Sequence, residues 1–147
     1  VFANGIKIKR GIYRSIPTLY KDADGIQYRV LLQVNEVLKD GLPSPYSIES
    51  ETKESVTYGQ TIKIGESDVF LQPGIYTYTI KYLISDQIRF FQDFDEINFN
   101  GIPNFSFPID KAKVRVTLPK GVKIIKNIAY TDKKGDRGSN YNVNYRR

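Results

Sequence analysis

Apolar and polar residues alternate with a period of two along most of the chain. In residues 26–34 nearly every second position is apolar, and residues 75–84 show the same alternation in β-branched and tyrosine side chains. This period is typical of extended strands that bury one face. Shorter segments of this kind lie at 5–9, 46–50, 55–58, 60–64, 68–71, 88–91, 96–100, 111–118, 122–130 and 141–145. No window predicts a helix, although residues 31–40 allow one helical turn at the end of a strand.

Turn residues separate these segments at the spacing of roughly 8–12 residues that an antiparallel sandwich shows. Examples are Asp24-Gly25, Tyr58-Gly59 and the sequence Pro119-Lys120-Gly121. A Pro73-Gly74 turn precedes the tyrosine-rich strand, as in the corner of immunoglobulin-like domains. The pattern therefore predicts an all-β, immunoglobulin-like β-sandwich with little or no helix. We expect one sandwich domain over residues 1–130, and a polar, basic loop or tail over residues 131–147 that leads towards a membrane anchor.

Composition narrows the chemistry that the chain can perform. Its 147 residues, 40% of them hydrophobic, are enough for one domain with a core. The chain has no His, Cys, Met or Trp. It therefore lacks a thiolate nucleophile, an imidazole base or ligand, and a disulfide framework. Because it contains no Met, we expect it to be a piece of a longer protein.

The net charge of +6 is distributed unevenly. Residues 1–110 hold 11 basic and 14 acidic side chains, whereas residues 111–147 hold 11 basic and 2 acidic ones. The second part, with a net charge of +9, could contact an anionic envelope polymer, a lipid surface or a protein. A solvated strand face explains the same charges, because Lys111, Lys113 and Arg115 alternate with apolar residues. Nucleic acid is the least favoured partner.

One acidic group is the best local candidate for metal chemistry. Asp93, Asp95 and Glu96 lie close together in sequence, and clustered carboxylates hold calcium in other proteins. Their spacing does not match the EF-hand, and carboxylates at a turn between two strands explain them equally well. An alternative hypothesis makes the carboxylates of residues 86–96 part of a carbohydrate-active enzyme of the cell wall. We expect no catalytic residue, no cofactor and no enzymatic activity, since no catalytic motif is present.

Residues 10–18, with the sequence R-G-I-Y-R-S-I-P-T, show no clear period. We interpret it as an irregular segment that Ile12, Tyr13 and Ile16 pin to the domain. Arg10 and Arg14 remain available for acidic partners or carbonyl groups.

The same segment resembles the signature of a bacterial family of predicted membrane proteins, the YciQ-like domain of unknown function 2207. Further stretches agree in order: G-L-P-S-P-Y at 41–46, I-G at 64–65, L-Q-P-G-I-Y-T-Y-T-I-K-Y at 71–82, R-F-F at 89–91, D-E-I-N-F-N at 95–100, F-P-I-D-K-A at 107–112 and L-P-K-G at 118–121. Together they cover residues 10–121. Phe99 and Phe105 stand where the family usually has Trp, so a role that requires an indole N–H is in doubt.

The resemblance implies an extracytoplasmic domain behind a signal peptide, anchored by transmembrane segments outside this sequence, with no established activity. It also implies that a strand preceding residue 10 in the family is missing. We therefore expect a noncatalytic module that binds an envelope component or a protein partner. The candidate interaction residues are Arg10, Gly11, Tyr13, Arg14, Pro17, Asp95, Glu96, Asn100, Lys120, Lys123 and Lys126.

Overall fold

A computed structural model describes residues 10–22, 25–102, 105, 107–131, 138 and 140–145. The described residues form ten strands and no helix. The strands are β1 (Ile12–Pro17), β2 (Leu19–Lys21), β3 (Gln27–Arg29), β4 (Leu32–Lys39), β5 (Leu42–Pro43), β6 (Tyr46–Lys53), β7 (Val56–Ile64), β8 (Tyr78–Ile84), β9 (Ile88–Phe90) and β10 (Asp95–Ile97). The predicted strand at 5–9 lies outside the described residues.

Two three-stranded antiparallel sheets dominate the part of the chain up to Ala112. In one sheet the strand order is β1-β7-β6, and in the other it is β5-β4-β8. Two hairpins, β2-β3 and β9-β10, complete the set of paired strands. All these pairs are antiparallel, so the prediction of an all-β fold is confirmed. The immunoglobulin-like sandwich stays a prediction.

The core draws on both three-stranded sheets. Ile62 and Ile64 of β7 are almost fully buried, and Ile16 of β1 and Val37 of β4 join them. Seven partly buried side chains pack around these four: Ile12, Leu32, Val34, Tyr78, Ile80, Tyr82 and Ile84. Each fully buried isoleucine contributes about 1.5–3 kcal/mol. Strands β1, β4, β7 and β8 therefore each contribute apolar side chains to one shared core.

Two glycines allow the chain to cross itself where β1 begins and β7 ends. Gly11 has φ +141° and Gly65 has φ +117°, both in the region that side chains rarely adopt. A Cβ on Gly11 would lie 1.7 Å from the carbonyl oxygen of Ile64, and one on Gly65 would lie 2.0 Å from that of Arg10. Only glycine at both positions permits this backbone contact.

The predicted strand at 26–34 is in fact two strands in different sheets. At the break, the Val30 N–H bonds to the Thr18 carbonyl, whereas Leu31 exchanges bonds with Ser85. The chain thus leaves its partner β2 and joins β8 while the alternation of side chains continues unbroken. Residues 32–39 are extended, so the helical turn allowed at 31–40 is wrong. Period alone does not encode the pairing partner.

Two further local predictions were wrong. Residues 55–58 and 60–64 belong to the single strand β7, because Gly59 is a packing position and not a turn. A Cβ there would lie 3.1 Å from the Ile16 carbonyl oxygen and from a Glu51 carboxylate oxygen. Residues 68–71 form no strand.

Residues 113–147 form a second compact unit. The strands predicted at 111–118, 122–130 and 141–145 are not present there, because no described strand pairs with these residues. The predicted turn after Pro119 is confirmed, since the Val122 N–H bonds to the Pro119 carbonyl and Gly121 has φ +89°. Thr131 and Gly138 form an isolated antiparallel bridge. None of the residues described in either unit belongs to a helix long and apolar enough to span a bilayer.

We predict that Gly11→Ala destabilises the fold far more than Gly41→Ala. Both glycines have positive φ, but a Cβ on Gly41 meets nothing within 4 Å. Gly41→Ala should cost about 1–2 kcal/mol from backbone strain alone. The clash in Gly11→Ala should raise the loss above about 3 kcal/mol. Urea unfolding followed by circular dichroism measures both, and equal losses would contradict the crossing.

A second prediction concerns Tyr78, whose hydroxyl is buried without a hydrogen-bond partner among the described residues. Burial, followed by the charge of Asp40 and by Tyr76, raises the pKa of this phenol above its usual 10.0. The fold therefore favours the neutral phenol, and stability is lost as pH rises above 10 through the raised pKa. Tyr78→Phe should stabilise the protein by about 1 kcal/mol at neutral pH and reduce the alkaline loss.

Tyr76→Phe is the matched control for this substitution. The Tyr76 hydroxyl donates a 2.7 Å hydrogen bond to the Gln72 carbonyl, so its removal should destabilise the protein by about 0.5–1.5 kcal/mol. Thermal unfolding at neutral pH and above pH 10 compares the two variants. A loss of stability in Tyr78→Phe would show that its hydroxyl has a favourable partner.

Candidate functional site

The arginine of the 10–18 segment lies on the core side of its strand. In β1, Ile12, Arg14 and Ile16 share one face because side chains alternate along a strand. The Arg14 Nη2 donates to the Tyr82 hydroxyl at 3.5 Å and to the Asn100 carbonyl at 3.2 Å. Arg14 therefore links β1 to β8 and to the segment after β10. We call Arg14, Tyr82 and Asn100 the arginine clamp.

A cluster of tyrosines and one arginine lies beside this clamp. Tyr20 and Tyr28 face each other across β2 and β3, with their rings stacked at 5.6 Å. Arg89 of β9 donates to the Tyr28 hydroxyl through Nη2 at 3.2 Å and through Nε at 3.4 Å. This bond is the main cause of the raised pKa of Arg89, and Glu96, its partner residue in β10, contributes by its charge.

The electrostatics of Tyr20 show that clamp and cluster are adjacent. Burial is the largest cause of its raised pKa, opposed by a side-chain hydrogen bond from Gln87. Smaller contributions come from Tyr28 and Tyr82, which raise the pKa, and from Arg14, which lowers it. Arg14 therefore acts on Tyr20 as well as on Tyr82, and both arginines are held by tyrosine hydroxyls or carbonyl groups.

Arg10 lies at the other end of the same segment, in a shallow groove. Its guanidinium group stacks 4.7 Å from the Phe70 ring centroid. The groove has a volume of about 310 Å³ and is lined by residues that include Arg10, Lys39, Asp40, Pro43, Pro45 and Gly65. Thus three stretches that carry the family resemblance, at 10–11, 41–46 and 64–65, meet at one place.

The other candidate residues of the 10–18 segment, Gly11, Tyr13 and Pro17, lie along β1 and at its ends. Gly11 takes part in the backbone crossing. The prediction of an irregular segment was wrong, because residues 12–17 form the regular strand β1. Tyr13 does not pin this strand, since its side chain is 61% exposed on the outer face, with the Lys63 ammonium 5.4 Å from its ring centroid. Lys63 also pairs with Glu49 at 2.5 Å, and the hydrogen bond in this pair is the main cause of the raised pKa of Lys63. Pro17 ends β1 opposite Gly59.

The acidic candidates lie in and beside a hairpin. The Phe91 N–H bonds to the Phe94 carbonyl at 2.9 Å and their rings stack at 4.8 Å, which closes a turn that contains Asp93. Asp95 and Glu96 follow in β10, where neighbouring side chains point to opposite faces. The described residues contain no group of three carboxylates that could hold a metal ion. The three carboxylates therefore lie in and directly after a hairpin turn.

The basic candidates Lys120, Lys123 and Lys126 all belong to the second unit, where they are exposed. Apolar side chains between and beside them are exposed too, since Ile124 is 48% and Ile125 74% accessible. The unit therefore presents cations and aliphatic side chains together.

Sequence reasoning missed three members of the clusters. Tyr20 lies in a strand of three residues, which is too short to show a period. Tyr28 falls within the alternation of residues 26–34, which does not show that β3 pairs with β2. Arg89 lies in β9, another strand of three residues. One signal was present in the sequence. Arg14 lies two residues from both Ile12 and Ile16, so a strand here places its side chain on the same core-facing side.

Comparison with known proteins identifies the family of the chain. The sequence profile of the N-terminal domain of the predicted membrane protein family DUF2207 matches residues 4–146. The chain belongs to this family. This DUF2207 domain is 28% identical over 116 residues to the uncharacterized protein YciQ of Escherichia coli strain K12. That match covers 79% of the chain but 17% of YciQ. No solved structure matches the chain.

We predict that Arg14 and Tyr82 are energetically coupled in this DUF2207 domain. Arg14→Met and Tyr82→Phe should each destabilise the fold, and the double variant should lose less than the sum by about 0.5–1 kcal/mol. Arg29→Met is the control, because Arg29 donates to the Thr57 carbonyl and not to Tyr82. Its combination with Tyr82→Phe should be additive. Additive losses for Arg14 and Tyr82 in urea unfolding would contradict the clamp.

Proposed function

We propose that this chain is a noncatalytic, extracytoplasmic β-rich module of a bacterial membrane protein, which binds an anionic envelope surface through its second unit. The observation that carries the proposal is the exposure of cations and aliphatic side chains on the same stretch, residues 120–128. Membership in a family of predicted membrane proteins supports a place near a bilayer.

The physical basis is the combination of two weak attractions. A cation close to an anionic membrane contributes about 1 kcal/mol, and the +9 of residues 111–147 supplies several such cations. Aliphatic side chains such as Ile125 and Ile128, 74% and 53% exposed, can enter the boundary between headgroups and acyl chains. Neither attraction alone gives stable binding, but the two together localise a basic segment at an anionic surface.

The first unit supports a scaffold role in this proposal. Its signature arginines are engaged with neighbours of the same chain: Arg14 with Tyr82 and Asn100, and Arg10 with Phe70. Side chains bound to each other in this way hold strands in place. No arrangement of the carboxylates in residues 86–96 favours the carbohydrate-active enzyme hypothesis.

Vesicle sedimentation with the full chain tests the proposal. The protein should pellet with vesicles that contain anionic phospholipid, and much less with purely zwitterionic ones. Removing two cations in Lys123→Gln/Lys126→Gln should weaken the partition by about 2 kcal/mol, roughly 30-fold. Added salt should weaken it further.

The control removes two exposed lysines from the first unit, in Lys21→Gln/Lys53→Gln. This variant has the same net charge as the test variant. Because it keeps Lys123 and Lys126, its binding should stay close to that of the unmodified chain. Equal pelleting with anionic and zwitterionic vesicles, or equal effects of the two variants, would contradict the proposal.

A further inference from the structure

Strand β6 is an open sheet edge with two chemically distinct faces. Within the described residues it pairs with β7 on one side and with no strand on the other. Glu49 and Glu51 lie on its outer face. Tyr46 and Ile48, on the face that continues towards the core, are each 42% exposed. An edge of this length offers free backbone donors and acceptors to another strand.

Residues 111–118 carry the complementary pattern. In an extended strand one face would carry the cations Lys111, Lys113 and Arg115. The opposite face would carry the apolar residues Ala112, Val114, Val116 and Leu118. Val114 is 55% and Val116 67% exposed, and the segment has no strand partner among the described residues. It is a strand pattern whose residues 111–117, basic and apolar alike, are exposed.

We propose that residues 111–118 of a second copy of this chain add to β6 as an antiparallel strand. Aligning Ile48 with Val114 places Tyr46 opposite Val116. The same register places Glu49 opposite Lys113 and Glu51 opposite Lys111. Apolar side chains then meet on one face and opposite charges on the other, which is the pairing that stabilises a sheet.

The exchange is reciprocal in a twofold dimer, because each molecule offers both an acceptor edge and a donor strand. Two strand additions then form per dimer, and the interface closes on itself. The residues used differ from Lys120, Lys123 and Lys126, so the dimer leaves the proposed membrane surface available.

The edge strands β8 and β1 of the two three-stranded sheets fit the basic segment less well. The outer face of β8 carries Lys81, which would repel the incoming cations. Strand β1 has Tyr13 and Ser15 on its outer face and no carboxylate. The Glu49 side chain of β6, although paired with Lys63, is 57% exposed and can accept a second cation.

Sedimentation equilibrium of the full chain over a range of concentrations tests the dimer. Lys113→Glu and Glu49→Lys should each weaken association about tenfold, because each substitution affects both halves of the interface. Combining them in one chain restores opposite charges and should recover most of the affinity. Lys21→Glu and Glu54→Lys make the same charge changes at exposed residues outside the pairing and should leave association unchanged.

A gain-of-function variant separates pairing from damage to the fold. The register places exposed Ser47 opposite Arg115, so Ser47→Glu should tighten association. Urea unfolding of each variant checks that the fold is intact. A chain that is monomeric at all concentrations would overturn the proposal, as would a dimer indifferent to Lys113→Glu or a double variant no better than its single components.

Discussion

The burial of Ile62 and Ile64 against β4 and β8 is the interaction on which the rest of the first unit depends. These two side chains are 0% and 2% exposed, and the partly buried residues around them come from both three-stranded sheets. Strand β7, which carries them, is also the central strand between β1 and β6. A change in its register by one residue would exchange Ile62 and Ile64 for Thr61 and Lys63 on the core side. The apolar contact and the strand order therefore specify each other.

The family signature describes how β1 is held against this strand. Gly11 allows the backbone to touch Ile64, Arg14 reaches across the core edge to Tyr82, and Pro17 ends the strand opposite Gly59. These three residues act at different points within residues 11–17. The guanidinium group of Arg14, which lies between Ile12 and Ile16, would be costly to bury without partners. Its hydrogen bonds to the Tyr82 hydroxyl and the Asn100 carbonyl offset that cost. The contacts that hold β1 against β7 and β8 thus account for these signature residues without a ligand.

The sequence predicted the fold class and most strands, because alternation in β8 and in the first half of β4 is a direct result of one-sided burial. It failed where the pattern carries no information about partners. Residues 26–34 alternate without interruption, although β3 pairs with β2 and β4 with β8. The arginine clamp and the tyrosine pair were out of reach for a related reason. Their members lie 8 to 86 positions apart, and only tertiary pairing brings them together.

The uneven distribution of charge along the chain corresponds to a difference in how the cations are engaged. In the first unit many cations already have internal partners, since Arg14 and Arg89 bind tyrosine hydroxyls while Lys63 and Lys81 pair with glutamates. Such cations contribute little to the attraction of an external anion. The cations of residues 111–126 follow two different sequence rules. Those at 111–115 alternate strictly with apolar residues, as in a strand, whereas those at 120–126 recur every third residue beside exposed isoleucines. Strict alternation suits a sheet edge, and the looser spacing suits a lipid surface, so one basic tract can hold two contacts that do not compete.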